Sequence, residues 1–285
     1  MVAPPHEQRV VVGAGVELHV EGWPSQLCDH PVGFVLVHGL ASNAAMWRGV
    51  ARRLKDLGHS AISVDQRGHG RSSKPAGGYD VSSFVSDLAE LLGQVPLRRP
   101  AVAGQSFGGN VVLELAARHP ELVGGIACVD GGWIELSEYF ASWDACLAEL
   151  APPVFDGRSV EEIHELLSSR HADWPETAIE GFLANFEIRP GGMVAPWLAR
   201  SRHLEILRSL WDHHPSKLYE SVKVPVLLVP AMNPGQISVW EGAAEKAAGL
   251  LPRCRLEPMT GDHDLHAQQP VAVADLLHEW ADSLC

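Results

Sequence analysis

The chain has 285 residues, 46% of them hydrophobic, enough for one large domain or two small ones and too apolar for a disordered chain. Its formal net charge is −13, from 35 acidic and 22 basic residues with no basic run, which argues against a nucleic-acid or anionic-membrane partner. Residues 1–7 lack the basic segment and apolar core of a secretory signal, and no run of about 18 apolar residues exists to span a membrane. The five cysteines (Cys28, Cys128, Cys146, Cys254, Cys285) are odd in number, scattered and without a C-x-x-C. They read as free thiols in a reducing cytoplasm.

Val10-Val11-Val12 and Val16-Glu17-Leu18-His19-Val20 read as a strand pair across Gly13-Ala14-Gly15. Gly33-Phe34-Val35-Leu36-Val37-His38 is a continuous apolar run, the pattern of a strand buried on both faces of a parallel sheet. A helix follows over 46–57, then strand Ala61-Ile62-Ser63-Val64-Asp65 and a helix near 81–93. Pro100-Ala101-Val102-Ala103 reads as a strand, and 110–117 as a helix. Between them lies Gly104-Gln105-Ser106-Phe107-Gly108-Gly109, with serine at the apex of the turn. Gly104 and Gly108 let the two arms approach closely, since a β-carbon there would clash. The helix after the serine aims its N-terminal N–H groups at whatever the hydroxyl attacks. Gly124-Gly125-Ile126-Ala127-Cys128-Val129-Asp130 is another buried strand, ending at an acid.

After Trp133 the strand–helix rhythm stops. Residues 134–150, 159–170, 176–187 and 197–211 read as four helices with no strand among them. The rhythm resumes with strand 224–229, helix 238–248, strand 254–257 and helix 271–283. The expected architecture is an open, mostly parallel sheet of eight strands flanked by helices, with a helical insertion after the sixth strand. Residues 1–133 and 216–285 would form the core, and 134–215 the insertion.

Three segments carry a resemblance to the α/β-hydrolase superfamily: Val35-Leu36-Val37-His38-Gly39, Asp65-Gln66-Arg67-Gly68-His69-Gly70-Arg71-Ser72 and the Ser106 turn. A fourth is Gly261-Asp262-His263, with Pro270 just before the last helix. The resemblance covers essentially the whole chain. It implies that 134–215 is the family's helical lid and that Ser106 is a nucleophile. Triad order in the family is serine, acid, histidine, and His263 fits the base. His266 reads as a loop or pocket-rim residue. His38 resembles the histidine beside the family's oxyanion loop, His69 belongs to the Arg-Gly-His-Gly turn, and His213-His214 would lie where the lid rejoins the core.

The acid departs from the common pattern. The family usually places an aspartate after the strand corresponding to 226–229, where this chain reads Pro230-Ala231-Met232-Asn233-Pro234-Gly235. Asn233 could orient an imidazole but could not stabilise an imidazolium with a full charge. Asp130, at the end of the preceding strand, is where some family members carry the acid, and it is the expected one. Glu135, Asp262 and Asp264 are the alternatives. The family pattern puts the oxyanion donors at the backbone N–H groups of Phe107 and Leu40, with Gly39 letting that loop curl inwards. Asp65 and Arg67 read as a structural turn.

Five of nine tryptophans (Trp133, Trp143, Trp174, Trp197, Trp211) fall near or in the insertion, joined by Phe140, Phe155, Phe182 and Phe186. Collectively they predict an apolar roof. His38, Gly39, Met46, Trp47, Trp133 and Trp197 are the pocket candidates. His263 and His266 lack a third ligand at sensible spacing, so no metal is expected, and no cofactor motif exists. The expected activity is hydrolysis of a small hydrophobic carboxylic ester or lactone by a cytoplasmic monomer or homodimer. A carbon–carbon bond hydrolase, thioesterase, perhydrolase or peptidase on the same triad, and a non-catalytic ligand-binding protein, are the alternatives.

Overall fold

Strand segments with apolar residues at every position need cover on both faces, and the computed structural model supplies it. It describes residues 4–13, 15–25, 32–155, 157–232 and 242–284. In chain order the first half contains β1 (His6–Val12), β2 (Val16–Trp23), β3 (Phe34–Val37), α1 (Arg48–Asp56), β4 (Ala61–Val64), α2 (Val81–Leu92), β5 (Ala101–Gln105), α3 (Phe107–Arg118) and β6 (Gly125–Val129). A 3-10 turn, Ala44–Trp47, leads into α1. Then come α4 (Leu136–Tyr139), α5 (Trp143–Leu150), α6 (Val160–Arg170), α7 (Glu176–Leu183), β7 (Phe186–Ile188), β8 (Val194–Pro196) and α8 (Arg200–Asp212). The chain closes with β9 (Val226–Val229), β10 (Ala231–Met232), α9 (Ala243–Leu250), β11 (Cys254–Leu256), β12 (Met259–Thr260), α10 (Leu265–Gln268) and α11 (Pro270–Ala281).

One eight-stranded sheet runs in the order β1-β2-β4-β3-β5-β6-β9-β11. β1 pairs antiparallel with β2, and β2 with β4; from β4 onward every pairing is parallel. Strand alternation splits the core into two layers. Val35, Val37, Val102, Ile126, Val226 and Leu228 face α2, α3, α8 and α9. Phe34, Leu36, Ala103, Ala127, Leu227 and Val229 face α1 and α11. The carboxyl ends of β3, β5, β6 and β9 therefore sit side by side, and their loops share one rim.

The segment between β6 and β9 differs from the four-helix expectation. The predicted 134–150 helix is two, α4 and α5, with Ser142 restarting the chain as an N-cap that accepts from Ala145 N. The predicted 176–187 helix stops at Leu183, and β7 and β8 form an antiparallel hairpin. Alternation in Phe186-Glu187-Ile188 and the turn at Gly191 and Gly192, both at positive φ, account for it. α6 has a capping box, Ser159 with Glu162. A third apolar cluster, including Met46, Ile163, Trp174, Ile179 and Phe186, packs this segment onto the Ala44–Trp47 turn. The predicted 238–248 helix is seen from Ala243; residues 238–241 lie outside the described residues. Among the described residues no helix is long and apolar enough to cross a membrane.

Candidate active site

Ser106 follows β5 directly, at φ 52° and ψ −122°. That region costs a non-glycine residue on the order of 1–3 kcal/mol and persists only where the surroundings enforce it. Here they do. Ser106 N donates to the Val129 carbonyl at 3.0 Å, and Gly109 N to the Ser106 carbonyl at 2.8 Å. A β-carbon on Gly108 would lie 2.5 Å from the His38 carbonyl oxygen, and one on Gly104 would run into the Gly108 carbonyl. The turn is therefore as tight as the glycine spacing implied.

Asp130 follows β6, also at positive φ (45°). Its Oδ1 accepts from Ala231 N at 3.0 Å, and its Oδ2 accepts from His263 Nδ1 at 2.5 Å. The two residues are 133 positions apart. The two-residue parallel ladder between β10 and β12 sets the loops that carry Ala231 and His263 side by side. Gln105 Nε2 donates to the His263 carbonyl at 3.1 Å, tying that loop to the elbow. The His263 side chain is half exposed where it borders a cavity, while Asp130 is largely covered. Burial pulls the His263 imidazole toward neutrality. The hydrogen bond and charge of Asp130, with the charge of Asp264, more than offset this and raise its pKa.

Of the alternative acids, Glu135 is buried elsewhere, with its Oε1 2.7 Å from His214 Nδ1. Burial opposes its ionisation, but hydrogen bonds from Ser216 and His214 prevail and lower its pKa. Asp262 lies 3.7 Å from His171 Nδ1. Asp264 lines the cavity, its pKa raised by burial and by the neighbouring carboxylates of Asp130 and Asp262. Asn233 lies outside the described residues.

The loop after β3 is held by two neutral histidines. His38 Nδ1 donates to the Gly39 carbonyl (2.7 Å), and its Nε2 accepts from Gln66 N (3.0 Å). His69 Nδ1 donates to the Arg67 carbonyl (2.9 Å), and its Nε2 accepts from Ala41 N (3.2 Å). Burial lowers both pKa values. Ala41 sits at φ 57°, which curls the loop and presents Leu40 to the cavity. Phe107 opens α3, so its N–H has no i−4 partner within the helix. Asp65 accepts from His19 Nδ1, Ala44 N and Arg71 N, so its carboxylate is fully used in fixing turns. Burial opposes its charge, but these partners hold its pKa at about 2. Arg67 makes a bidentate pair with Asp87 at 2.5 and 2.6 Å.

A cavity of about 320 Å³ lies between the sheet rim and the helical segment. Ser106, His263, Gln105 and Leu40 form its floor; Phe155, Phe182, Phe186 and Trp197 form much of its roof. Met46 and Trp197 line it as expected from the sequence. Four other pocket candidates do not. Trp133 is 3% exposed and packs into the core, because Gly132, at φ 83°, turns the chain back against α3. Trp47 ends the 3-10 turn facing the α1 layer, its ring 4.4 Å from that of His266. The His38 ring is buried in the loop it braces. Gly39 is pressed against the elbow, where a β-carbon would lie 3.0 Å from Ser106 Cβ. His266 is likewise no rim residue. It is fully buried in α10, with burial lowering its pKa to about 3.

Several residues that shape the site carry no signature in the sequence. Gln105, inside the elbow motif, is one of them. Asn110, one turn into α3, accepts from Gly132 N (3.0 Å) and donates to the Ile134 carbonyl (2.7 Å), bracing the turn after Asp130. Asn43 donates to the Gly181 carbonyl and to Asn185 Oδ1, locking the helical segment to the loop after β3. Pro152, Pro153, Leu198, Arg200 and His203 line the cavity from positions no local motif marks.

A serine on a strained elbow and an imidazole held at Nδ1 by a carboxylate, facing one cavity, can carry out nucleophilic acyl transfer. Comparison with known proteins finds hydrolases. A 2-(acetamidomethylene)succinate hydrolase of Mesorhizobium japonicum is 28% identical over 252 residues, 86% of this chain and 86% of the relative. An uncharacterized Mycobacterium tuberculosis protein is 32% identical over 100 residues, 35% of this chain; the chain spans only 29% of that relative's length. The crystal structure of an E-2-(acetamidomethylene)succinate hydrolase matches with a TM-score of 0.80 at 23% identity, over 98% of this chain and 99% of that one, a likeness of fold. The family model described as alpha/beta hydrolase fold matches residues 33–186, more than half the chain. The protein belongs to the alpha/beta hydrolase fold family.

Proposed function

We propose that the protein is a serine hydrolase that cleaves carboxylic esters or lactones of hydrophobic substrates through an acyl-enzyme on Ser106. The observation that carries this reading is the 2.5 Å contact between His263 Nδ1 and Asp130 Oδ2, in a loop that shares a cavity wall with Ser106. With Nδ1–H committed to Asp130, His263 Nε2 is the acceptor. It takes the proton of Ser106 as the hydroxyl attacks the carbonyl carbon, and the N–H groups of Phe107 and Leu40 receive the developing oxyanion. Collapse expels the alcohol, which takes the proton from His263. A water molecule, deprotonated by His263, then releases the acyl group as an acid and restores Ser106. Residues 134–215 act as a lid, and the phenylalanines and Trp197 of the cavity favour apolar acyl or ring groups. A cytoplasmic setting and a monomer or homodimer complete the proposal.

A second reading keeps the triad and changes the bond, to carbon–carbon, thioester or peracid chemistry. It is favoured by the relative that matches over 86% of the chain and is named for 2-(acetamidomethylene)succinate rather than for an ester. The test is turnover of p-nitrophenyl esters and of aromatic and aliphatic lactones by wild type and Ser106→Ala, with fluorophosphonate labelling of both. Labelling at Ser106 with ester turnover supports the proposal. Labelling without ester or lactone turnover favours the second reading. No labelling of the wild type would leave a ligand-binding protein on a hydrolase fold.

A further inference from the structure

The cavity is walled mostly by carbon, so each unspent polar atom on its surface narrows what can bind there. Asn185, just after α7, is half-buried and lines the cavity with Phe182, Phe186 and Trp197. Its backbone is fully used: its N–H donates to the Phe182 carbonyl (3.0 Å), and its carbonyl accepts from Trp197 N (2.9 Å). Its side chain is oriented by the buried Asn43. Asn43 Oδ1 accepts from Ala45 N (2.8 Å), and its Nδ2 donates to the Gly181 carbonyl (2.8 Å). Both partners are backbone groups with fixed roles, so the Asn43 amide can point only one way. The Asn185 atom that lies 2.6 Å from Asn43 Nδ2 must then be the acceptor, Oδ1. That leaves Asn185 Nδ2 as the free end. It has no hydrogen-bond partner among the described residues and, unlike Ser42 Oγ and His203 Nε2, it is not sealed from open space. The open space that Asn185 borders is the cavity.

Resting on the acyl-transfer reading above, we propose that Asn185 determines specificity: its side-chain N–H donates to a second, neutral carbonyl oxygen on the acyl chain, and the substrates are oxo-acyl esters rather than plain hydrocarbon ones. A donor with no partner of its own rewards an acceptor on the ligand and is left unmatched by a methylene. The amide carries no charge, Arg200 Nη1 is spent on the Pro152 carbonyl (2.7 Å), and the Asp264 carboxyl borders the same cavity. A carbonyl therefore suits the site better than a carboxylate, whose charge would go uncompensated. Position matters as well as chemistry. Asn43 lies in the loop after β3, three residues past Leu40, the oxyanion donor. One loop thus holds both the Asn185 donor and the place of the scissile carbonyl, which fixes the number of carbons between the two carbonyls.

The test uses p-nitrophenyl esters of 4-oxopentanoic, 5-oxohexanoic and 6-oxoheptanoic acid, each against the ester in which a methylene replaces the ketone, with spontaneous hydrolysis subtracted. Wild type should favour the oxo ester in kcat/KM by about tenfold at one of these lengths. Asn185→Asp keeps an oxygen for Asn43 and turns the free end from donor to acceptor, so it should bring that ratio to about one or below. Both esters are read on the same variant, so a general loss of activity cancels. A wild-type ratio under about threefold at every length, or a ratio that survives Asn185→Asp, would overturn the assignment. If none of the esters is turned over, the acyl-transfer reading fails instead, and binding decides the site. In proton–nitrogen correlation spectra of Ser106→Ala, the Asn185 side-chain amide, identified by its loss in Asn185→Asp, should shift on titration with the methyl esters of the oxo acids. Shifts no larger than those from the methylene counterparts would overturn it.

Discussion

On the sheet side of the cavity, Ser106, Asp130 and His263 are each held by a hydrogen bond to a residue outside the three. The Ser106 N–H is bound to Val129, the Asp130 carboxylate to Ala231 N, and the His263 carbonyl to Gln105 Nε2. On the helical side, Phe155, Phe182, Phe186 and Trp197 meet the cavity with carbon, and Asn185 keeps an unmatched side-chain N–H. The difference matches what each side has to do. Proton transfer tolerates little positional error, so its groups are pinned by many contacts. Selection of a substrate needs shape and a few polar groups held back for the ligand.

The largest expected effect falls on the pinned side. Asp130→Asn should lower kcat by about 10⁴ while the thermal unfolding midpoint barely moves, because the neutral amide cannot stabilise the imidazolium. A loss below tenfold would mean that another group serves as the acid, with Asn233 the first to test by Asn233→Ala. Gly108→Ala comes next. Its β-carbon would press on the His38 carbonyl, and denaturant titration should show a loss of about 1–3 kcal/mol with activity reduced as the elbow shifts. Unchanged stability there would break the contrast between the two walls.

On the helical side effects should be smaller and appear in KM. Trp197→Ala removes an aromatic wall and the ring beneath Lys74 Nζ, 4.8 Å from its centroid. It should raise KM for long-chain esters by about three- to tenfold with kcat little changed. An equal fall in kcat would place Trp197 among the groups that hold the transition state. The smallest effect is a pH shift. His263 acts as a base only when neutral, and its pKa is raised above 6.5 by Asp130 and Asp264 against the pull of burial. kcat/KM should therefore be full above that raised value and fall as pH drops through it. Asp264→Asn removes one of the two charges, so the acid limb should move to lower pH; a limb that stays put would show that Asp130 alone sets it.

Much of this was readable before any coordinates. Continuous apolar runs marked β3, β5, β6 and β9, and the spacing of Gly104, Ser106 and Gly108 marked the elbow. The reading failed where context outweighs pattern. Trp133 and Trp47 look like pocket aromatics by position, but a glycine turn and a 3-10 turn rotate them into the core. Residues 186–187 are read as the end of a helix and 188–196 as the gap before the next one, and the hairpin there has strands of only three residues, too short for alternation to stand out. Gln105 and Asn110 act through hydrogen bonds to backbone atoms far along the chain, which leave no local signature.

By itself, the sequence determined the strand–helix alternation, the tight serine turn and the candidate nucleophile. These depend on residues within a few positions of one another, where sterics and hydrophobic period act directly, whereas His263 as base came with the family resemblance. Only the tertiary structure decided that Asp130 rather than Glu135 faces His263, which aromatics reach the cavity, and that Asn43 orients Asn185 on its wall. Those pairings join residues tens to more than a hundred positions apart, brought together by parallel strand register and by the path of the chain between β6 and β9.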